Sequence, residues 1–475
     1  MHGTSECFYT SIVWNEETEA VRVRVLSRRK ISIRYGSFPL CGVDVMKQSI
    51  YMRIWIFFIL STLILTGCSQ LSAEAKVVES DLPRDTSPSV SDEDLMELAE
   101  GNQAFALDLY QALLEEEDGN LFYSPYSISA ALAMTYAGAR NVTEKEMAEV
   151  LHFTLPQDRL HPAFNALDLL LTSRGGDGGK EDDGFQLNIA NALWGQKGYE
   201  FLSEFLDMLA KNYGAGLRVL DFGQDPEKAR LVINDWVYEK TEEKIEDLIP
   251  KGVILQDTRL VLTNAIYFNA DWRYAFPKSD TYDGDFHLND GTIVSVPLMS
   301  QTESFRYGEG EDYQAIALPY VGGEMEMVII LPSEGRFEDF ERSLNAEKMN
   351  EILNSVQTTE VALTLPKFEF ESDFSLSEIL IGMGMPSAFG AGVGTDFSGM
   401  DGTLNLVIKE VLHKAFVSVD EEGTEAAAAT AVIMVEMAAV ADATEMRIDR
   451  PFIFMIRDTG TNSPLFLGRV MNPVE

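Results

Sequence analysis

From about residue 100 onward, helical patterns fill the first half of the chain and strand patterns the second. No regular strand–helix–strand alternation links them. Parallel α/β architectures need that alternation, so the ordering favours an α+β fold built on antiparallel sheets. Asn102 to Glu116 carries apolar residues at Phe105, Ala106, Leu109, Tyr110, Leu113 and Leu114, the spacing of an amphipathic helix. Ser127 to Ala137 is almost wholly apolar and reads as a helix buried on every side. Thr143 followed three residues on by Glu146 predicts a capping box at the start of a third helix. Ser203 to Tyr213 and Pro226 to Leu248 read as helices, and Phe374 to Met383 as a short one. Leu187 to Trp194 and Leu260 to Phe268 read as strands. Strands dominate from Gly291 to Leu331. Val361 to Phe370 alternates as one strand, and Leu404 to Val419 is expected to hold two. Phe452 to Arg457 and Leu465 to Val470 close the chain as strands. Ser173 to Gly184, rich in Gly and Asp, reads as a loop, and no internal repeat is present.

Charge and cysteine narrow the function classes. The 475 residues carry a formal net charge of −39, and residues after Cys68 alone carry −42. Such a surface repels nucleic acid, anionic lipid and heparin-like polymers. The three cysteines are Cys7, Cys41 and Cys68. The chain beyond residue 68 therefore has no disulfide, thiolate metal site or cysteine nucleophile. There is no G-x-S-x-G elbow. Gly175 to Lys180 lacks phosphate-loop spacing, and Gly390, Gly392 and Gly394 lack the last glycine of a dinucleotide loop. His152, His161, His287 and His413 have no metal-ligand spacing. The expectation is a non-enzyme without metal or cofactor.

The N-terminal residues read as an address. Lys47 and Arg53 precede an apolar run from Ile54 to Leu65, too short to span a bilayer but suited to a signal-peptide core. It ends in Leu65-Thr66-Gly67-Cys68, which resembles a lipobox with Cys68 as the acylated residue. The expected organisation is a non-native extension (1–45), a signal peptide (46–67), a lipid-anchored flexible tether (68–95) and one folded domain (96–475). The expected location is extracytoplasmic, at the cell envelope, either lipid-anchored or secreted.

Residues 420–435 read DEEGTEAAAATAVIMV. Alanine favours a helix, but Gly423 opposes one, and Thr430, Val432, Ile433 and Val435 are β-branched strand formers. Small side chains lose little entropy and little volume is needed to accept them, so this segment is small enough to fit anywhere and able to extend, the character that a segment sliding between two paired strands would need. In a strand, Thr424, Ala426, Ala428 and Thr430 would share one face, and Glu425, Ala427 and Ala429 the other.

Here the chain resembles the serpins, inhibitors of serine proteases. Glu421-Glu422-Gly423-Thr424-Glu425-Ala426-Ala427-Ala428-Ala429 is similar to the hinge of inhibitory members. NLFYSPYSISAALAMTYAGA (120–139), TNAIYFNADW (263–272), LPKFEFESDFSL (365–376), GMGMPSAF (382–389), DFSGM (396–400), EVLHKAFVSVDEEGTEAAAAT (410–430) and RPFIFMIRDTGTNSPLFLGRVMNP (450–473) follow in family order. The resemblance covers residues 102 to 473. It implies three β-sheets, about nine helices and an exposed reactive-centre loop. It implies a hinge from Glu421 to Thr430 and a polar shutter of Ser124, Ser127, Asn264 and His413. It places Trp272 at the breach, with Lys367 as the partner of Glu421. Counting along the loop puts the scissile bond at Met437-Ala438, or at Val440-Ala441 when counted back from Pro451. The implied partner is a serine protease held in a covalent complex by a monomeric inhibitor. The alternative is a non-inhibitory carrier on the same fold. The stretch near residues 152 to 174 carries Asp158 and Asp168 and no basic patch, so heparin binding is not expected.

Overall fold

The structure, a computed structural model, describes residues 9–15, 20–26, 76–174, 185–424 and 443–474. The chain forms two compact units, 1–72 and 73–475. In the first, β1 (Tyr9–Asn15) and β2 (Ala20–Leu26) pair antiparallel, with Tyr9 opposite Leu26.

The second unit is α+β. Its described residues hold ten α-helices: α1 (Asp92–Leu113), α2 (Pro125–Tyr136), α3 (Asn141–Val150), α4 (Gln157–Ser173), α5 (Ser203–Tyr213), α6 (Pro226–Lys240), α7 (Phe337–Arg342), α8 (Ala346–Ser355), α9 (Ser377–Met383) and α10 (Ser398–Asp401). A seven-stranded sheet runs in the order β13 (Phe368–Ser375), β14 (Glu410–Val419), β15 (Gly423–Thr424), β7 (Leu260–Asp271), β5 (Phe185–Gln196), β6 (Leu217–Leu220) and β3 (Lys76–Val78). A nine-stranded sheet contains β16 (Thr444–Arg447), β12 (Gln357–Pro366), β9 (Ile293–Glu309), β10 (Tyr313–Pro319), β11 (Met325–Pro332), β17 (Phe452–Asp458), β18 (Pro464–Val470) and β4 (Leu121–Tyr123). In it, β8 (Tyr282–His287) also pairs with β9. The two remaining family sheets are joined here: β9 pairs β8 and β12 along most of its length, and its last residues pair β10.

All twelve residues of α2 are buried, because the helix packs against β5 and β7 of one sheet and β18 of the other. A helix between two sheets has no solvent face, which explains a sequence apolar all round.

Several local expectations change. The expected tether is docked from Lys76. β3 adds to the edge of the seven-stranded sheet, Arg84 bonds Asn165 and Asp168 on α4, and the Asp85 N–H donates to Lys211 O. Polar composition suggested a free segment, but Ser80, Arg84 and Asp85 have distant partners that composition does not reveal. α1 starts at Asp92, with the Ser91 hydroxyl accepting from the Asp94 N–H. Thr143 is not a cap. It lies inside α3, fully buried, and its hydroxyl accepts from the Asp396 N–H. The single strand expected over residues 361–370 is two, β12 and β13, in different sheets; the chain turns between Pro366 and Phe368. Leu404 to Val419 holds one strand, since residues 404 to 409 pair with none. α6 stops at Lys240, where Glu242 and Glu243 take positive φ.

Candidate functional site

The seven-stranded sheet is antiparallel except at its centre and at β5–β6. β14 and β7 pair in parallel from Glu410↔Val261 to Ala415↔Ile266. Beyond Ile266 they part, and β15 stands between them: Thr424 pairs with Val419 on one side and Ala270 on the other. A new strand position thus begins at the upper end of the sheet and ends where β7 and β14 meet directly.

Gly423 is required by close approach. A Cβ there would fall 2.2 Å from the Ala270 carbonyl oxygen. Thr424 is 2% exposed and faces the core, its Oγ1 2.7 Å from the Tyr320 hydroxyl. Tyr320 stacks on Trp272 with ring centroids 4.6 Å apart. Trp272 closes the turn before the new strand: its Nε1–H donates to Asp420 O at 3.0 Å and its backbone N–H to Glu422 O at 2.8 Å. Glu421 is buried; its carboxylate accepts from Lys367 Nζ at 2.6 Å and from Thr281 Oγ1 at 2.8 Å. Burial alone would raise this carboxyl, but the bonds from Lys367 and Thr281 outweigh it and hold it below the ordinary carboxylate range. Lys278 pairs with Glu422 at 2.7 Å.

Below the parting, a buried polar cluster ties β5, β7 and β14 to the start of α2. Strand register sets it: Asn264 on β7 is level with His413 on β14 and Asn191 on β5. The Ser124 N–H donates to His413 Nε2 at 3.2 Å. Nε2 must then carry a lone pair, so Nδ1 carries the proton and donates it to Asn264 Oδ1. Asn264 Nδ2 donates to Ser127 Oγ and Asn191 Oδ1, and Asn191 Nδ2 to Ser127 O at 3.0 Å. Burial pushes His413 down to about 3, so the imidazole is neutral at neutral pH. The geometry makes it a structural hydrogen-bonding group with no access to a reacting molecule.

The structure therefore brings Glu421, Gly423, Thr424, Trp272 and Lys367 into one network, and Ser124, Ser127, Asn264 and His413 into another. Asn191, Tyr320 and Thr281 complete these networks and were not singled out from the sequence. The one available signal was period two: Asn191 sits among apolar residues on the inward face of β5. Glu425, Ala426, Ala427, Ala428, Ala429, Thr430, Met437, Ala438, Val440, Ala441 and Cys68 lie outside the described residues. Among the described residues, no acidic, His or Cys group could hold a metal ion, and no helix is long and apolar enough to cross a membrane.

The fold is a two-sheet α+β body in which the two residues of β15 stand between the upper ends of a central parallel pair. The sequence matches the serpin (serine protease inhibitor) family over residues 100–473, and the chain belongs to that family. It is 43% identical over 372 residues to an uncharacterized serpin-like protein of Thermococcus kodakarensis, covering 78% of this chain and 84% of that one. It is 40% identical over 387 residues to leukocyte elastase inhibitor A of Rattus norvegicus, covering 79% and 100%. Its fold is similar to the crystal structure of tengpin, a thermophilic serpin in its native state, with a TM-score of 0.73 and 28% identity, covering 84% of this chain and all of that one.

Proposed function

We propose that this serpin is an irreversible inhibitor of serine proteases with elastase-, subtilisin- or chymotrypsin-like pockets. It acts by completing the strand that Gly423 and Thr424 begin. The protease serine oxygen attacks a carbonyl carbon in the loop after Thr424, the peptide C–N bond breaks, and the new amine leaves with the downstream chain. The loop stays attached to the protease as an ester. It then inserts between β7 and β14, carrying the protease toward the far end of the sheet before water can hydrolyse the ester. About a dozen inserted residues, each gaining roughly 0.5–1.5 kcal/mol of net hydrogen bonding, supply on the order of 10 kcal/mol. The uncleaved fold is then held by a barrier and not by its equilibrium stability.

The observation that carries this reading is the parted β7–β14 pair with the hinge already seated between its upper ends. The small residues that follow, and an inhibitory relative at 40% identity, support it. A reactive bond at Met437-Ala438, or Val440-Ala441, fits the absence of Lys and Arg between Glu421 and Met446, since a cation-seeking pocket has nothing there to bind. The complex is covalent, one inhibitor monomer to one protease. Cys68 is proposed as the lipid-bearing residue of an extracytoplasmic, envelope-anchored protein. Incubation with subtilisin, chymotrypsin and elastase, followed by a denaturing gel, tests the inhibitory reading. A stable band at the summed mass is expected, and cleavage alone would refute it. Replacing Cys68 with Ser tests the anchor: unchanged membrane attachment and processing would refute it.

A further inference from the structure

Four large apolar side chains stand exposed at the lower end of the seven-stranded sheet, opposite the hinge. Val393 is 94% and Leu404 65% exposed, and Val142 and Leu202 are 39% each. The loops on either side of α10 bring them together. A Cβ on Gly394 would lie 3.7 Å from Val142 Cγ1, and one on Gly402 3.9 Å from Leu202 Cδ2. The Leu202 N–H donates to Met400 O at 2.7 Å, and the Arg140 N–H to Asp396 O at 2.9 Å, which ties the start of α3 to the same loop. Strand register sets the level. The chain from Leu404 enters β14 at Glu410 beside Val261, and the Lys409 N–H donates to Leu260 O at 3.0 Å. Gly195, opposite Leu260, lies so close to Phe201 that a Cβ there would be 3.1 Å from Phe201 Cζ. Exposed apolar clusters of this kind mark contact surfaces.

The chain also enters the domain at this end. Lys76, Val219, Gly195 and Leu260 form one row across β3, β6, β5 and β7. β3 runs upward from that row, toward the level of the hinge. Cys68 precedes Lys76 by eight residues, a reach of at most about 26–29 Å when fully extended. Thr424 in the hinge is level with Ala270, which lies ten residues along β7 from Leu260, or about 33 Å above the row. A lipid on Cys68 therefore cannot reach the level of the hinge.

We propose that the lower end of the domain, through Val142, Leu202, Val393 and Leu404, sits on the lipid bilayer that holds the protein's own anchor. The inference rests on the lipid-bearing Cys68 proposed above. An anchor alone limits the distance from the bilayer but not the orientation; apolar side chains that enter the interface add a second contact. The net charge of −42 after Cys68 disfavours anionic headgroups, so the matching surface is one without net charge. The hinge then faces away from the bilayer, toward proteases in the medium. A protease carried down by insertion must lift this end off the lipid.

The experiment uses the full-length, lipid-bearing protein in phosphatidylcholine vesicles. The chain after Cys68 has no other cysteine, so Val393→Cys provides one labelling site for an environment-sensitive fluorophore, and Ile293→Cys, in a separate sample, provides one near the hinge. Ile293 is 54% exposed, on the hairpin of β8 and β9, where the Lys367 N–H donates to Pro297 O at 2.9 Å. In vesicles, the label at 393 is expected to shift to the blue and to be quenched by iodide about fivefold less than in the same variant carrying Cys68→Ser. The label at 293 is expected to be quenched equally in both. Equal quenching at 393, or stronger shielding at 293, overturns the docking while leaving the anchor intact. A parent that does not float with the vesicles overturns the anchor, and the orientation with it.

Discussion

Thr424→Arg should convert the protein from inhibitor to substrate. Thr424 is 2% exposed, faces the core and bonds the Tyr320 hydroxyl, which is itself stacked on Trp272. The nearby buried acid, Glu421, already has Lys367 and Thr281 as partners. An arginine here would lose one hydrogen bond, about 1 kcal/mol, and bury a cation without a counter-charge, about 3–5 kcal/mol. The side chain would leave instead, withdrawing the hinge from between β7 and β14. After cleavage, insertion must return that cation to the core before any later residue can enter. A penalty of about 4 kcal/mol on this first step slows it by roughly three powers of ten. Hydrolysis of the ester, untouched by the change, then wins. The gel assay should show a cleaved inhibitor, cut at the parent's bond, and no complex band. Thr424→Val keeps shape and burial and loses only the hydroxyl bond, so it should retain most trapping. If Thr424→Arg traps protease as well as the parent does, strand entry through this hinge is not the mechanism.

A single cut in the loop beyond Thr424 should raise the melting temperature sharply, because the seven-stranded sheet gains a full strand; an unchanged or lower value in a scanning calorimeter would contradict insertion. Lys367→Ala leaves the buried Glu421 with Thr281 alone. Since Lys367 is itself a third exposed, the loss should be about 1–2 kcal/mol and not the full value of a buried pair, read as a lower urea midpoint of the uncleaved protein. His413 is held near 3 in the fold against 6.5 when unfolded, so the unfolded chain binds more protons between those values. Its contribution is complete above about pH 6.5 and falls as pH drops toward 3, by up to about 1.4 kcal/mol per unit. Buried His161 adds to the same trend. Urea midpoints should fall from pH 7 to pH 5, with a smaller fall in His413→Asn; no pH dependence in that window would refute the assignment of a neutral imidazole.

The parts of this molecule that can be read from the sequence are those decided by neighbours along the chain. The apolar helix α2 and the central strand β7 follow from periodicity, and the mixed character of the stretch after Gly423 follows from residue size and branching. The family motifs led to Lys367 with Glu421 and to His413 with Asn264, pairings that periodicity alone could not supply. The resemblance did not extend to Asn191 or Tyr320. Asn191 is an ordinary polar strand residue and Tyr320 an ordinary aromatic just past β10, until the fold sets each beside a residue 73 or 104 positions away. Thr143 failed for the same reason: its capping pattern is real, but Asp396 competes for the hydroxyl and wins in a fully buried site. The docking of residues 76 to 85 depends on the pairing of β3 with β6 and on long-range bonds from Ser80, Arg84 and Asp85, none of which alters composition.

The parallel contact of β7 with β14 has a consequence for how the chain is made. Asn264 and His413, which face each other across it, are 149 residues apart. At ribosomal rates of about 5–20 residues per second, β7 waits roughly 7–30 s for its neighbour. During that interval it can pair with β5, but its other edge offers free N–H and C=O groups to any extended segment nearby. The nascent chain is thus most prone to mispairing along the edge that later borders the hinge. Slowing synthesis between Asp271 and Glu410 should increase aggregation more than an equal delay placed after Val419, when that edge is already covered.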